Sequence, residues 1–162
     1  FDVEVLFDDA TVVAASKRGQ WAHRSKVELA ELADRSWILT PPESWNYSII
    51  EDSFRRAGLA MPRPYLMTYS VLLRANLVVN SEHLTVFPAS VLRFNWDNLG
   101  LVALPVDLPS QTWPIAIVTL KHRVLTPAAQ LFCTQLRVFA ARVKEEETAL
   151  RAVDFQAGRF WL

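Results

Sequence analysis

Hydroxyl side chains stand at three places where an apolar strand pattern gives way to a helical one. Thr40, Ser44 and Asn46 follow the first strand, Thr68 and Ser70 the second, and Thr85, Phe87, Pro88 and Ser90 the third. A helix start carries backbone N–H groups without intrahelical partners and a partial positive charge. Hydroxyls beside those groups can hold the oxygens of a small, often anionic, ligand. The same serines can simply cap their own helices, because Ser is a strong N-cap residue. If the strands run parallel, all three places open on one edge of a sheet, where α/β folds bind ligands. Trp45 follows Ser44 at the mouth of the first loop. It can cover a ligand or staple the helix, with its indole N–H at a polar rim.

Other chemistry finds little support. His23, His83 and His122 are far apart and have no Cys, His or carboxylate at metal-ligand spacing, so no metal is expected. No GxSxG elbow, Walker loop or GxGxxG fingerprint occurs. Cys133 lies inside an apolar helical pattern and reads as a core thiol. Asp8 and Asp9 are adjacent at a strand end and point to opposite faces, which excludes a shared acid–base role. Glu51 and Asp52 fit the solvated face of a helix. The expectation is a binding protein without cofactor, not an enzyme.

The 162 residues are 51% hydrophobic and 21% charged, enough for one or two units with a real core. Seventeen basic and seventeen acidic residues balance, which argues against gripping nucleic acid through an overall field. One cysteine permits no intrachain disulfide, as suits a reducing compartment. No run of about 18 apolar residues appears, so no membrane span is expected. The chain starts on an alternating strand pattern, which reads as an N-terminal truncation.

The elements that must position these residues alternate. Val3, Val5 and Phe7 mark a strand broken by Asp8 and Asp9, and residues 11–15 a buried one. Ser25 is a candidate cap for a short helix over 27–33. Trp37 and its two apolar successors form a strand ended by Thr40-Pro41-Pro42. Ser44 then caps a helix whose Ile49, Ile50, Phe54 and Ala57 share a face, with Gly58 as its stop. A strand near 65–69 precedes a helix from Ser70 that buries Val71, Leu72, Leu77 and Val78. Short strands follow at 84–87 and 99–106, with a helical turn at 89–93 between them. A strand at 113–120 leads to a helix capped by Thr126 with Pro127 at its first position. That helix carries the stripe Ala128, Phe132, Leu136, Phe139 and Val143, and the residues from 148 onward read as a tail. The alternation implies a mostly parallel sheet covered on both faces.

The ordered set Phe7-Asp8-Asp9, VELAELADRSWILTPP at 27–42, FRRAGL at 54–59, LTVFPASVL at 84–92 and PIAIVTLKHRVLTPAAQLF at 114–132 resembles the C-terminal effector-binding domain of LysR-type transcriptional regulators. The likeness covers most of residues 5–143. It implies an α/β, periplasmic-binding-protein type II-like fold: one complete Rossmann-like lobe plus the returning strand and C-terminal helix of another. Residues 1–12 would end the first lobe and cross over, 13–108 form the second lobe, 109–114 cross back, 115–147 return to the first lobe, and 148–162 trail.

The resemblance also implies a small organic effector between the lobes, often a carboxylate or aromatic acid. Thr40, Ser44, Trp45, Thr68, Ser70, Thr85, Phe87 and Pro88 are the candidate contacts, with Tyr69 beside them. It further implies a cytoplasmic homo-oligomer, dimer or tetramer, that meets DNA only through a winged helix-turn-helix absent here. One departure stands out: Ser81-Glu82-His83 replaces the family's Gly-x-Gly turn, and Asn80 becomes the residue best able to adopt a left-handed conformation. A transporter's solute-binding protein of the same fold remains the alternative.

Overall fold

The computed structural model describes residues 1–92, 99–108 and 112–156, with side chains through Glu145. Arg93 and residues 109–111 of the expected return crossing lie outside the described residues, as do Phe160 and Trp161. The chain forms two compact units, Phe1–Asp9 with Thr112–Leu162 (unit 1), and Ala10–Gln111 (unit 2).

Unit 2 holds strands β2 (Thr11–Ser16), β3 (Trp37–Leu39), β4 (Pro64–Met67), β5 (Thr85–Pro88) and β6 (Leu101–Ala103). β4 pairs with β3 in parallel. β3 meets β5 through a parallel bridge, Trp37 to Leu84, and Ile38 N donates to Leu84 O at 2.8 Å. β2 lies between β5 and β6, antiparallel to both. The resulting order is β4-β3-β5-β2-β6. Four strands share one direction and β2 alone runs against them. Periodicity reports which faces are buried and carries no strand direction, so this reversal was invisible in the residue pattern.

Alternation along the strands builds two cores, one on each face. Val13, Ala15, Trp37, Leu39, Leu84 and Val86 pack with helix α1 (Leu29–Leu32) and helix α2 (Trp45–Arg56) through Leu29, Leu32, Ile50 and Phe54. Ala14, Ile38, Phe87 and Leu101 pack with helix α3 (Val71–Val79) and the helical segment 89–92 through Ala75, Val78 and Leu92. The Trp37 indole N–H donates to Leu32 O at 2.9 Å, so this large core side chain is fully satisfied.

Local chemistry explains the helix ends. α1 begins after Glu28, not Ser25, because Glu28 and Glu31 form a reciprocal capping box. Ser44 caps α2 by accepting from Tyr47 N, and Gly58 beyond the helix takes φ +69°. α2 buries Ser53 with Ile49, Ile50 and Phe54, while Ala57 is exposed. The Ser53 hydroxyl donates to Ile49 O, which lets a polar residue occupy the buried face. α3 buries Arg74, Ala75 and Val78, leaving Val71 and Leu72 exposed against expectation. In a helix this apolar all round, the sequence pattern cannot set which face turns inward. Asn80 keeps a negative φ of −99°, and among the described residues the non-glycine one in the left-handed region is His122.

Unit 1 pairs strand β1 (Asp2–Asp9) antiparallel with β7 (Trp113–Thr119), from Asp2 opposite Thr119 to Asp9 opposite Trp113. Asp8 and Asp9 belong to the strand rather than ending it. Helix α4 (Pro127–Gln156) packs on β1 and continues through much of the stretch expected to be a tail. Cys133, Ala140 and Val143 are its buried positions, while Phe132 and Phe139 of the expected stripe face solvent. Arg137 on α4 grips Glu4 on β1 with Nε and Nη2, at 2.8 and 2.7 Å.

Candidate functional site

Because β4, β3 and β5 are parallel, the loops after them leave one edge of the unit 2 sheet. β2 runs the other way and therefore starts at that edge, with Thr11 opposite Pro88. The edge gathers Thr11, Thr40, Ser44, Trp45, Thr68, Ser70 and Pro88 within one unit.

The first loop is tightly bonded. Thr40 is buried, and Ser44 Oγ donates to Thr40 Oγ1 at 2.5 Å while accepting from Tyr47 N at 3.3 Å. Two hydroxyls sharing one bond still hold a second proton between them, available to an acceptor. Trp45 is the first residue of α2 and is half-buried. The second loop is tied to the first: Thr68 N donates to Leu39 O at 2.9 Å, and Tyr69 OH donates to Glu43 Oε1 at 3.2 Å. Desolvation, reinforced by that carboxylate, raises the Tyr69 pKa, so the phenol stays protonated and remains a donor. Thr68 Oγ1 accepts from Ser70 N at 3.1 Å, and Ser70 Oγ accepts from Leu73 N at 3.2 Å.

The third group sits deeper. Thr85 is wholly buried, and its hydroxyl donates to Ile38 O at 2.6 Å, stitching β5 to β3. Phe87 is wholly buried in the α3 face of the sheet, with the Arg74 guanidinium 4.5 Å from its ring centroid. Pro88 is half-buried at the strand end. Thr85 and Phe87 thus lie behind the edge, whereas Pro88 and the residues of the first two loops lie along it.

Buried polar atoms without a partner return to Asn46, which the sequence reading had placed at the first loop, and add Thr11 and Arg74, which it missed. Thr11 Oγ1, Asn46 Oδ1 and Arg74 Nε belong to β2, α2 and α3, and none has a hydrogen-bond partner. Such atoms are rare in folded proteins. Arg74 had a visible signal: it is the one charge in the otherwise largely apolar VLLRANLVV. Thr11 had none, since only the strand pairing brings it beside Pro88. Among the described residues, no group of three His, Cys, Asp or Glu side chains gathers to hold a metal ion. No described helix is long and apolar enough to cross a membrane.

A three-layer α/β unit, Ala10–Gln111, is thus inserted in sequence between the paired strands of a second unit. The model of the LysR substrate binding domain matches residues 1–140, and the chain belongs to that family, one of regulator modules and not of enzymes. It is 29% identical over 108 residues to the HTH-type transcriptional regulator GbpR of Azospirillum brasilense, a match covering 67% of this chain and 32% of GbpR. The chain thus spans about a third of the length of that curated relative. Its fold is similar to the regulatory domain of Synechocystis PCC6803 CcmR in complex with 2-PG, with a TM-score of 0.67 and 20% identity over 86% of this chain and 66% of that one. The effector binding domain of QuiR in complex with shikimate is similar at a TM-score of 0.60 and 19% identity, over 87% and 66%. A regulator family and a regulator relative decide against the solute-binding alternative.

Proposed function

We propose that the carboxyl edge of the unit 2 sheet is one wall of a site for a small organic effector, and that its occupancy adjusts a regulator's grip on DNA. The observation that carries this reading is the convergence of Thr40, Ser44, Thr68, Ser70 and the unpartnered Thr11 and Asn46 oxygens on one sheet edge. Family membership supplies the context, and the complexes of CcmR with 2-PG and QuiR with shikimate support a small-molecule ligand.

In this reading Thr40, Ser44, Thr68 and Ser70 bind the polar end of the effector. Trp45, Tyr69 and Pro88 flank it, while Thr85 and Phe87 back the wall. The segments near 1–12 and 109–114 are the crossings between lobes, and 13–108 is the second lobe. A carboxylate or aromatic acid fits the helix starts at the edge. The effector shifts the regulator only so far as it prefers one lobe arrangement. The whole protein would act as a cytoplasmic homo-oligomer, with DNA held by a separate winged helix-turn-helix.

A thermal-shift screen of small organic acids on the complete effector module tests the site. A hit should stabilise the wild type, and a folded Ser44→Ala, Thr68→Ala double variant should lose that response. An unchanged response in the folded double variant overturns the site assignment.

A further inference from the structure

Arg74 is 2% exposed, on a helix whose other buried residues are Ala75 and Val78. Among the described residues its guanidinium makes one hydrogen bond, from Nη1 to Val86 O at 2.8 Å. Nε has no partner. No acidic side chain among the described residues forms a salt bridge with it. Burial draws its pKa down only to about 10, so the group is still a cation at neutral pH. A buried charge without a counter-charge is unfavourable, and the bond to Val86 O could be made by a neutral amide. The bond to Val86 O and the Phe87 ring, 4.5 Å from the guanidinium, hold Arg74 against β5, but neither is a counter-charge and neither satisfies Nε.

The bond from Nη1 leaves the Nε–Nη2 edge of the guanidinium. That edge grips a carboxylate side-on with two parallel bonds. Arg137 uses the same edge on Glu4 in unit 1. Helical side chains lean toward the helix N-terminus, which carries Arg74 toward the first turn of α3. Val71, Leu72 and Leu73 in that turn are 39%, 70% and 43% exposed, so the turn is open to solvent. Ser70 Oγ accepts from Leu73 N and leaves the N–H groups of Val71 and Leu72 to other acceptors.

The geometry points to the first turn of α3, with Arg74 behind it, as the part of the site that receives a carboxylate. This rests on the effector reading above and makes Arg74 the residue that selects acids over their neutral analogues. The bound carboxylate supplies the counter-charge that the fold withholds from Arg74, in surroundings where water screens the pair weakly.

The test uses the full-length protein with benzoate, its neutral analogue benzamide, and sulfate, followed by thermal shift and tryptophan fluorescence. Benzoate should bind at least about tenfold more tightly than benzamide, a difference of about 1.4 kcal/mol. Folded Arg74→Gln should bind the two alike, and Arg74→Lys should bind benzoate more weakly with benzamide unchanged, so that the preference narrows without vanishing. Should Arg74→Gln fail to fold, Arg74→Lys carries the test, since loss of the side-on edge must weaken benzoate and spare benzamide. Equal binding of benzoate and benzamide by the wild type overturns the inference and leaves the effector site standing. So does a folded Arg74→Gln that retains the preference. Binding of sulfate alone, or of none of the three probes, also overturns it. Failure of the Ser44/Thr68 double-variant test would instead strike the effector reading itself.

Discussion

Thr40 follows the last residue of β3 and Thr85 opens the neighbouring β5, and their bonding separates these two identical side chains. The Thr85 hydroxyl is the donor for Ile38 O inside the sheet, while Thr40 shares a bond with Ser44 that leaves a proton to offer. Thr85→Val keeps the shape and removes the donor, leaving Ile38 O short of a partner. It should cost about 1–3 kcal/mol in urea unfolding while effector response persists. Effector binding lost at unchanged stability would place Thr85 on the ligand instead. The sequence shows that hydroxyls cluster at strand ends. It cannot show which of them are already bonded, because those partners, such as Ile38 O, come from strands distant along the chain.

At the scale of elements, α2 was the most legible because its Ser44 cap, its apolar spacing and its Gly58 stop all agree. α3 and α4 were less so. In α3 nearly every residue is apolar, and in α4 Phe132 and Phe139 fall on the solvent side while Cys133 and Ala140 turn inward. Phe54 anchors α2, wholly buried and edge-on to Trp37 with centroids 6.0 Å apart. Phe54→Ala should destabilise unit 2 by about 3–5 kcal/mol, read as a lower urea midpoint. In unit 1, hydrogen bonding to Arg137 holds the Glu4 carboxyl below its ordinary pKa. A lowered folded-state pKa means the pair stabilises the fold above the ordinary carboxylate pKa, and that this is lost as pH falls through the lowered value. Glu4→Gln should lower Tm at neutral pH by less than about 4 °C, and the difference from wild type should vanish in strong acid. A difference that persists in strong acid would assign the effect to packing rather than to the charge.

At the scale of the molecule, the alternation of strands and helices was enough to indicate a layered α/β chain. Direction was not, and β2 runs against the four other strands of its sheet. Unit 1 presents apolar surface: Val3, Val5 and Val118 are exposed on the β1–β7 pair, and Phe132 and Phe139 on α4. Exposed apolar clusters drive association. Sedimentation of the isolated chain should show mass rising with concentration, and Val5→Lys with Val118→Lys should suppress that rise. Identical behaviour of the variant would clear this face of any role.

The last rung of the β1–β7 ladder, Asp9 opposite Trp113, has a consequence for engineering. Paired residues on antiparallel strands sit about 5 Å apart, so Asp9 and Trp113, on either side of the inserted segment, are neighbours. Unit 2 is thereby a cassette with adjoining ends. A short splice could join those ends and open new termini in a surface loop, giving a permuted sensor half, and a tight turn could close β1 onto β7 in its absence.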